Sequence, residues 1–204
     1  MTGALPVNQR RTICGHCNFP QATCICDLIP HVSGAVNIWV LQDSLEIKHA
    51  KNTARLLALG YSRTHLIDVS DTQQLNTFFQ TVTPENGILL YPDDRAVLLE
   101  RSDQSSLARV RHLILLDGTW RKAKKMFFTL PKLHCYPIVK FGTPPASLYS
   151  IRKSPDALSL STLEAAVYAL ELLSSSNDYQ PIRSFFQQVI SRQWSKQPTH
   201  HKYI

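Results

Sequence analysis

Apolar and polar residues alternate along this chain in blocks that predict strands and helices in turn. Compact apolar runs are typical of buried parallel strands, and apolar residues three or four positions apart are typical of helices. The runs that predict strands are Ala35–Leu41, Leu66–Val69, Gly87–Tyr91, His112–Leu116 and Pro137–Phe141. The stretches that predict helices are His49–Leu59, Asp71–Val82, Thr119–Phe128, a segment that begins at Ser161, and Pro181–Trp194. This alternation indicates an α/β fold with a mostly parallel sheet flanked by helices.

Specific residues mark where several of these helices begin. Asp71 and Thr119 are residue types whose side chains accept hydrogen bonds from the first free N–H groups of a helix. Ser161 and Glu164 have the spacing of a capping box, in which two such N–H groups are satisfied reciprocally. Pro181 suits a first helical turn, where its missing N–H would have no partner.

Four of the five cysteines lie within 13 residues, in the pattern C-x2-C-x6-C-x-C. Such closely spaced pairs can close a tetrahedral zinc site, and four thiolates leave no open position for water. We therefore predict a structural zinc in an N-terminal arm and knuckle over residues 1–30, ahead of an α/β domain over 31–204. The predicted ligands are Cys14, Cys17, Cys24 and Cys26. His16 could compete as a ligand, an iron–sulfur cluster is the rival metal site, and four unrelated thiols are the alternative without metal.

The charge of the chain favours an anionic partner without deciding on one. The 204 residues carry a formal net charge of +7, and cations that meet phosphates release counterions. No run of 18 apolar residues is present, so no membrane span or membrane partner is expected. The first residues lack the apolar core of a secretory signal, which leads us to expect a cytoplasmic protein.

Common nucleotide loops and hydrolase motifs are absent from the sequence. It contains no G-x-G, no Walker A lysine motif, no G-x-S-x-G and no H-E-x-x-H. These absences disfavour the commonest dinucleotide enzymes, P-loop NTPases and hydrolases. Any nucleotide-like donor must therefore be held in another way.

The segment after the HLILL strand combines an acid with a basic helix. Asp117 follows a predicted parallel strand, at the edge where α/β folds place ligands, and Gly118 permits a sharp turn. The helix that follows contains four cations, Arg121, Lys122, Lys124 and Lys125. This arrangement suits a site at which an anionic polymer approaches an acid–base group. The alternative is a structural turn, a core Trp120 and a solvated basic face, and the residues alone do not decide between the two.

Asp117-Gly118-Thr119-Trp120 resembles the D-x-T-W signature of the DTW-domain family. The cysteine cluster is also similar to that family, and so are three further segments, Lys51–Leu59 (KNTARLLAL), Tyr91-Pro92-Asp93 and Leu160–Ala166 (LSTLEAA). The resemblance runs from about residue 14 to residue 170. Gln42-Asp43-Ser44 departs from the Q-H-P of many relatives, so no role tied to that His-Pro pair carries over.

The resemblance implies a reaction and a substrate. Members of the family transfer the 3-amino-3-carboxypropyl group of S-adenosylmethionine to N3 of a uridine in tRNA, with 5′-methylthioadenosine as the second product. They are related to SPOUT-type proteins, so a SPOUT-like fold is implied, and the presence of its knot is left open. The alternatives are a SPOUT-type RNA methyltransferase and a non-catalytic, zinc-containing RNA-binding protein. The modified position and the oligomeric state stay open, with a monomer favoured.

The resemblance also implies roles for single residues. The implied catalytic residues are Asp117, Thr119 and Trp120, and Asp117 either removes the N3 proton or binds the donor's amino group. For Trp120, burial is favoured over stacking on a base, because Trp is usually well buried. The residues expected to bind S-adenosylmethionine are Pro92, Leu116, Asp117, Thr119, Ser161, Thr162 and Glu164. The residues expected to contact tRNA are Arg121, Lys122, Lys124, Lys125, Arg152 and Lys153.

Overall fold

A single parallel sheet forms the centre of the protein in the computed structural model, which describes residues 12–47, 49, 52–148, 160–174 and 177–194. Within these residues six strands lie in the order β2-β1-β5-β3-β6-β4, and every neighbouring pair is parallel. The strands are β1 (Asn37–Gln42), β2 (Thr64–Asp68), β3 (Gly87–Leu90), β4 (Val97–Leu98), β5 (His112–Asp117) and β6 (Ile138–Lys140). The predicted α/β class and parallel sheet are confirmed.

Helices connect the strands and cover both faces of the sheet. They are α1 (Ser44–Ile47), α2 (Thr53–Gly60), α3 (Thr72–Thr81), α4 (Gln104–Leu107), α5 (Trp120–Thr129), α6 (Thr162–Leu173) and α7 (Gln180–Trp194). Short 3-10 helices occupy Gln21–Thr23, Cys26–Leu28, Leu99–Arg101 and Pro131–Cys135. No helix of the described residues combines the length and the apolar character needed to cross a membrane.

The predicted helix caps are confirmed, and one predicted helix start is wrong. The side chain of Asp71 accepts hydrogen bonds at the start of α3, and Ser161 with Glu164 forms the capping box of α6. The helix predicted from His49 begins only at Thr53, because the side chain of Asn52 accepts the N–H of Arg55 and caps it there. Asn52 is a typical capping residue, but the apolar spacing from His49 onward indicated an earlier start of the helix.

The two faces of the sheet carry separate apolar clusters. Successive strand residues point to opposite faces. Ile38 and Val40 of β1 are buried with residues of α2, α6 and α7, whereas Trp39 and Leu41 are buried with residues of α3 and α5. Because both faces are covered, the strands read as continuous apolar runs rather than as alternating ones.

The N-terminal segment packs against the first of these clusters. Cys17 and Phe19 are buried in it. The guanidinium of Arg192, near the end of α7, donates to the carbonyl oxygen of Cys24 at 2.7 Å and forms an ion pair with Asp27. The segment therefore shares its core with the α/β unit, while the predicted domain boundary at residue 30 stays a prediction.

Strand β6 lies between two strands that are consecutive in the chain. β3 and β4 follow each other along the chain with only residues 91–96 between them, yet β6 lies between them and pairs with both. The SPOUT-like character and the knot stay predictions.

A buried hydrogen bond between two side chains joins β1 to β5. Nε1 of Trp39 donates to Nδ1 of His112 at 3.0 Å, and both side chains are buried. The bond requires an unprotonated Nδ1. Burial, and secondly the neighbouring His65, lower the pKa of His112 below its ordinary value.

We expect stability to fall as the pH drops below about 6.5, the ordinary pKa of histidine. In this window the unfolded chain protonates His112 while the folded protein does not, so the unfolded state binds more protons and gains relative stability. One imidazole contributes at most about 1.4 kcal/mol for each pH unit. Urea unfolding at about pH 7.5 and pH 5.5 measures the loss. His112→Asn, whose amide oxygen can still accept from Trp39, is expected to reduce it, and an unchanged loss would contradict the assignment to His112.

Candidate active site

The carboxyl ends of β1 and β5 place Gln42 directly beside Asp117. Asp117 is buried, and each of its carboxylate oxygens accepts one hydrogen bond from another side chain. Gln42 Nε2 donates to Oδ2 at 2.9 Å, and Thr162 Oγ1 donates to Oδ1 at 2.5 Å. Thr162 is the first residue of α6. Two elements that are remote from β5 in sequence therefore orient one carboxylate at the edge of the sheet.

Asp117 forms no ion pair with a lysine or arginine of the described residues. A buried carboxylate that lacks a cation is costly, and hydrogen bonds from neutral groups offset only part of that cost. Each of its oxygens can accept further hydrogen bonds, because a carboxylate has about four acceptor positions. The site therefore favours a ligand with a positively charged group.

Gly118 allows α5 to begin directly after Asp117. Its φ is +156°, and a Cβ at this position would lie 3.1 Å from the Cβ of Lys122. Any other residue would be strained and crowded here. The turn places Thr119 at the N-cap, where its hydroxyl accepts the N–H of Lys122.

Trp120 is exposed, so the favoured prediction that it packs in the core is wrong. Its exposed fraction is 56%. The prediction followed from the usual burial of tryptophan and not from the position of Trp120 in the helix. Trp120 is the first residue of α5, and only Gly118 and Thr119 separate it from the end of β5. The ring is therefore open to solvent only three residues from Asp117.

Lys122 does not belong to the free cations of α5. Its Nζ forms ion pairs with Asp43 and Glu46, each at 3.0 Å. Hydrogen bonds to these two carboxylates raise the pKa of Lys122, and the same contact lowers the pKa of Asp43. Lys122 therefore ties the segment after β1 to α5, and its predicted contact with tRNA stays a prediction. The other three cations of the predicted cluster, Arg121, Lys124 and Lys125, are exposed.

Lys122→Met is expected to loosen residues 43–47 while changing global stability little. Partly exposed ion pairs contribute about 0.2–1 kcal/mol each, so the loss of two should speed local amide exchange by about 2- to 30-fold. Hydrogen exchange followed by mass spectrometry measures this. Lys124→Met removes a lysine of the same helix that forms no ion pair within the described residues, and it serves as the matched control. Equal exchange in the two variants would show that the ion pairs do not hold the segment.

The four predicted zinc ligands converge. The Sγ atoms of Cys14, Cys17, Cys24 and Cys26 all lie within 4.8 Å of one another, with 3.6 Å between Cys14 and Cys26 and 3.7 Å between Cys17 and Cys24. A tetrahedral zinc with Zn–S bonds of about 2.3 Å requires sulfur–sulfur distances of about 3.8 Å. The cluster can therefore hold a metal ion of this size. His16 Nδ1 lies 3.4 Å from Sγ of Cys26, as a hydrogen-bond partner of the cluster.

Without a metal ion, the thiols of Cys14 and Cys26 differ in pKa. Backbone N–H groups of Cys17 and His16 lower the pKa of Cys14 to about 6. The hydrogen bond with Cys24, together with burial, raises the pKa of Cys26 to about 12. Four thiolates at these distances need a cation among them, as thiolate ligation of a metal supplies.

Comparison with known proteins identifies the family of the chain. The profile of the DTW domain matches residues 11–194. The chain belongs to the DTW-domain family. It is 34% identical over 189 residues to tRNA-uridine aminocarboxypropyltransferase 2 of Mus musculus, a match that covers 86% of this chain and 62% of the mouse protein. It is 35% identical over 179 residues to the Drosophila melanogaster protein of the same name, over 81% of this chain and 68% of that protein.

The chain is thus shorter than these relatives, since it spans about 62% of the length of the mouse protein. A Macaca fascicularis protein of the same name is 31% identical over 186 residues. No solved structure matches the chain.

In this DTW domain, the carboxylate of Glu164 is hydrogen-bonded to other residues of the protein. Its buried carboxylate accepts hydrogen bonds from the Ser147 hydroxyl, the Leu148 N–H, and both the N–H and the hydroxyl of Ser161. Glu164 therefore holds residues 147–148 against the start of α6. It can support a donor site by positioning these residues.

The other residues that the resemblance assigns to the donor lie at or beside the carboxyl edge of the sheet. Pro92 follows β3 and is exposed, whereas Leu116 is partly buried next to Asp117. Ser161 and Thr162 reach the edge through the start of α6, where Thr162 bonds Asp117. The predicted RNA contacts Arg152 and Lys153 lie outside the described residues.

Sequence reasoning missed Gln42, the side chain beside Asp117. Gln42 is 1% exposed and ends the apolar run of β1. A polar residue at the end of a buried strand is the same signal that singled out Asp117. The Q-H-P departure drew attention to Asp43 instead, which the structure pairs with Lys122.

Proposed function

We propose that this chain transfers the 3-amino-3-carboxypropyl group of S-adenosylmethionine to N3 of a uridine in tRNA. Its relatives support the proposal, since they are named tRNA-uridine aminocarboxypropyltransferase 2. The observation that carries it is the buried carboxylate of Asp117, which has hydrogen-bond donors but no cation among the described residues. S-adenosylmethionine is positively charged at both its sulfonium and its amino group, so it complements this carboxylate.

The reaction requires alignment of uridine N3 with the γ-carbon of the donor and removal of the N3 proton. Uridine N3 attacks the γ-carbon of the methionine moiety, the C–S bond breaks, and its electron pair stays on sulfur, so that 5′-methylthioadenosine leaves as a neutral thioether. The N3 proton passes to a base. Because a sulfonium leaves readily, the protein's contributions are positioning and proton transfer.

Asp117 serves this reaction in one of two ways. As a donor ligand, it pairs with the positive charge of the amino group, which the absence of a cationic partner among the described residues favours. As a general base, it takes the N3 proton. In both roles Gln42 and Thr162 act as positioning residues, because each occupies one oxygen and so sets the direction of the other acceptor positions.

Trp120 receives the acceptor base in this proposal. Its exposed indole follows Asp117 by three residues at the start of α5. Stacking of a base on an aromatic side chain contributes about 1–3 kcal/mol. Thr119 supports this placement by capping the same helix.

We also infer that the cysteine cluster binds a structural zinc. The sulfur–sulfur distances and the absence of an open ligand position support this role. The proposed tRNA-modifying unit comprises residues 31–204, and a SPOUT-like path with a knot is consistent with the position of β6 between β3 and β4.

The test is incubation of the purified 204-residue chain with S-adenosylmethionine and an unmodified tRNA transcript, followed by mass spectrometry of nucleosides and small molecules. The expected products are aminocarboxypropyluridine and 5′-methylthioadenosine, which should be absent when donor or RNA is omitted. A methylated nucleoside with S-adenosylhomocysteine would instead identify a methyltransferase. Retained RNA binding without donor binding by calorimetry would identify a non-catalytic RNA-binding protein.

A further inference from the structure

Two large aromatic side chains stand exposed on the outer face of α5. Trp120 is 56% exposed and Phe128 is 61% exposed. They flank Lys124 along one side of the helix, because positions 120, 124 and 128 follow one another at intervals of about one turn. The residues of α5 that pack on the sheet are Ala123, Met126 and Phe127. We call the outer surface of Trp120, Arg121, Lys124, Lys125 and Phe128 the α5 face.

Phe128 is held in place without being covered. Its ring crosses that of Phe127 at 75° with 5.5 Å between centroids, and it crosses the imidazole of His134 at 87° with 6.2 Å between centroids. These neighbours steady the ring and still leave most of it open.

The cations of the α5 face form no ion pairs within the described residues, although the charge of Lys125 acts on Asp43 at longer range. Arg121, Lys124 and Lys125 are exposed, and none of the three forms an ion pair within the described part of the chain. The helix itself contains no acidic residue. The face therefore complements the phosphates of a nucleic acid.

The spacing of the two rings distinguishes between paired and unpaired RNA. Eight helical residues rise about 12 Å, more than three times the rise of about 3.4 Å between nucleotides stacked in one strand. Bases on the two rings are therefore not neighbours in a continuous stack. Bases in a duplex keep their faces stacked on one another, whereas bases of a loop can splay out onto aromatic side chains.

We propose that the α5 face binds a single-stranded loop of the RNA substrate. Phe128 stacks on a nucleotide other than the one that is modified, and Lys124 and Lys125 contact the phosphates between that nucleotide and the site. The face begins beside Asp117 and runs back along the sheet, so it extends the acceptor site away from the reacting atoms. This inference rests on the proposed function, because the loop belongs to its acceptor RNA.

Phe128→Leu is the decisive change, because leucine keeps apolar area but has no ring. The full chain is titrated with a labelled stem-loop and with a fully paired duplex of the same nucleotide number. Loss of one stacking contact should weaken stem-loop binding by about 5- to 150-fold and leave duplex binding and the salt slopes unchanged. Phe128→Tyr keeps a ring and should bind as the wild type does. Val97→Ala, at an exposed apolar position on the edge strand β4, should change nothing.

The lysines should show a different signature. Lys124→Ala is expected to reduce the slope of log affinity against log salt by about 0.7–0.9 for both RNAs, as expected for one lost phosphate contact. Wild-type stem-loop binding by Phe128→Leu, or equal losses on stem-loop and duplex, would overturn the inference. Wild-type product formation with no effect of Phe128 would leave the proposed function standing and refute the α5 face. Phe128-dependent stem-loop binding by a chain that makes no product would support the α5 face and refute the proposed function.

Discussion

Replacing Asp117 with asparagine is expected to remove most of the transfer activity and to leave the fold intact. Asparagine is nearly isosteric with aspartate, and its amide can still form hydrogen bonds with Gln42 and Thr162, so packing at the end of β5 should survive. The negative charge is lost, and with it either the base or the partner of a cationic donor. Loss of a general base typically lowers the rate by about 10²- to 10⁴-fold. Circular dichroism verifies the fold, and product formation measures the loss.

Donor affinity then separates the two roles of Asp117. If Asp117 is the base, the variant should bind S-adenosylmethionine normally, and its rate should rise with pH as N3 ionises unaided. If Asp117 holds the donor's amino group, calorimetry should show weaker binding by about 10- to 150-fold, the loss of a hydrogen bond to a charged group, and saturating donor should restore much of the rate.

A matched variant isolates the positioning of the carboxylate. Thr162→Val removes the hydroxyl that donates to Oδ1 and keeps the shape of the side chain. A smaller loss than that of Asp117→Asn is expected, with rescue by Thr162→Ser, which restores the hydroxyl. Wild-type turnover by Asp117→Asn would remove this residue from the chemistry and leave the motif a structural turn.

Cys24→Ser is expected to abolish metal binding and to release the N-terminal segment. Structural zinc sites contribute roughly 10–16 kcal/mol of binding free energy in small peptides, where folding depends on the metal. Here the backbone of Cys24 also accepts the hydrogen bond from Arg192 that joins the segment to α7. We expect destabilisation of more than about 4 kcal/mol, the range that loss of a metal site reaches. Thermal unfolding with and without a chelator, together with elemental analysis, measures both effects.

Cys135 supplies the control for this prediction. It lies outside the cluster and is exposed, so Cys135→Ser should change stability by no more than about 0.5 kcal/mol. One equivalent of zinc should be found in the wild type and in Cys135→Ser. Iron with visible colour would assign the cluster to an iron–sulfur centre, and a metal-free wild-type protein as stable as a zinc-loaded one would refute a structural role.

Features that depend on neighbouring residues could be predicted from the sequence. The apolar runs of the strands follow from burial on both faces, and Asp71 and Ser161 mark helix starts because a cap bonds N–H groups two or three residues away. The cysteine spacing predicts convergence for the same reason, since all four ligands belong to one short segment. The strand β4 and the helix α4 were missed because two and four residues are too short to show a period.

The composition of the candidate site depended on strand order and register. Asp117 was identified as the acid at a strand end, but its partners lie 75 and 45 residues away in sequence. They meet it because β1 is the neighbour of β5 and α6 begins at Thr162, next to Asp117.

The ion-pair partners of the α5 cations also depended on the tertiary structure. Four cations in five residues are indistinguishable by local pattern, yet within the described residues it is Lys122 that forms ion pairs with the two carboxylates that follow β1. Trp120 belongs to a residue type that is usually buried, yet it is exposed at the start of α5. Capping, strand burial and ligand spacing are local and could be determined from the sequence. The partner of a side chain across strands, and the presence of a surface beneath it, are set by long-range packing, which only the tertiary structure decided.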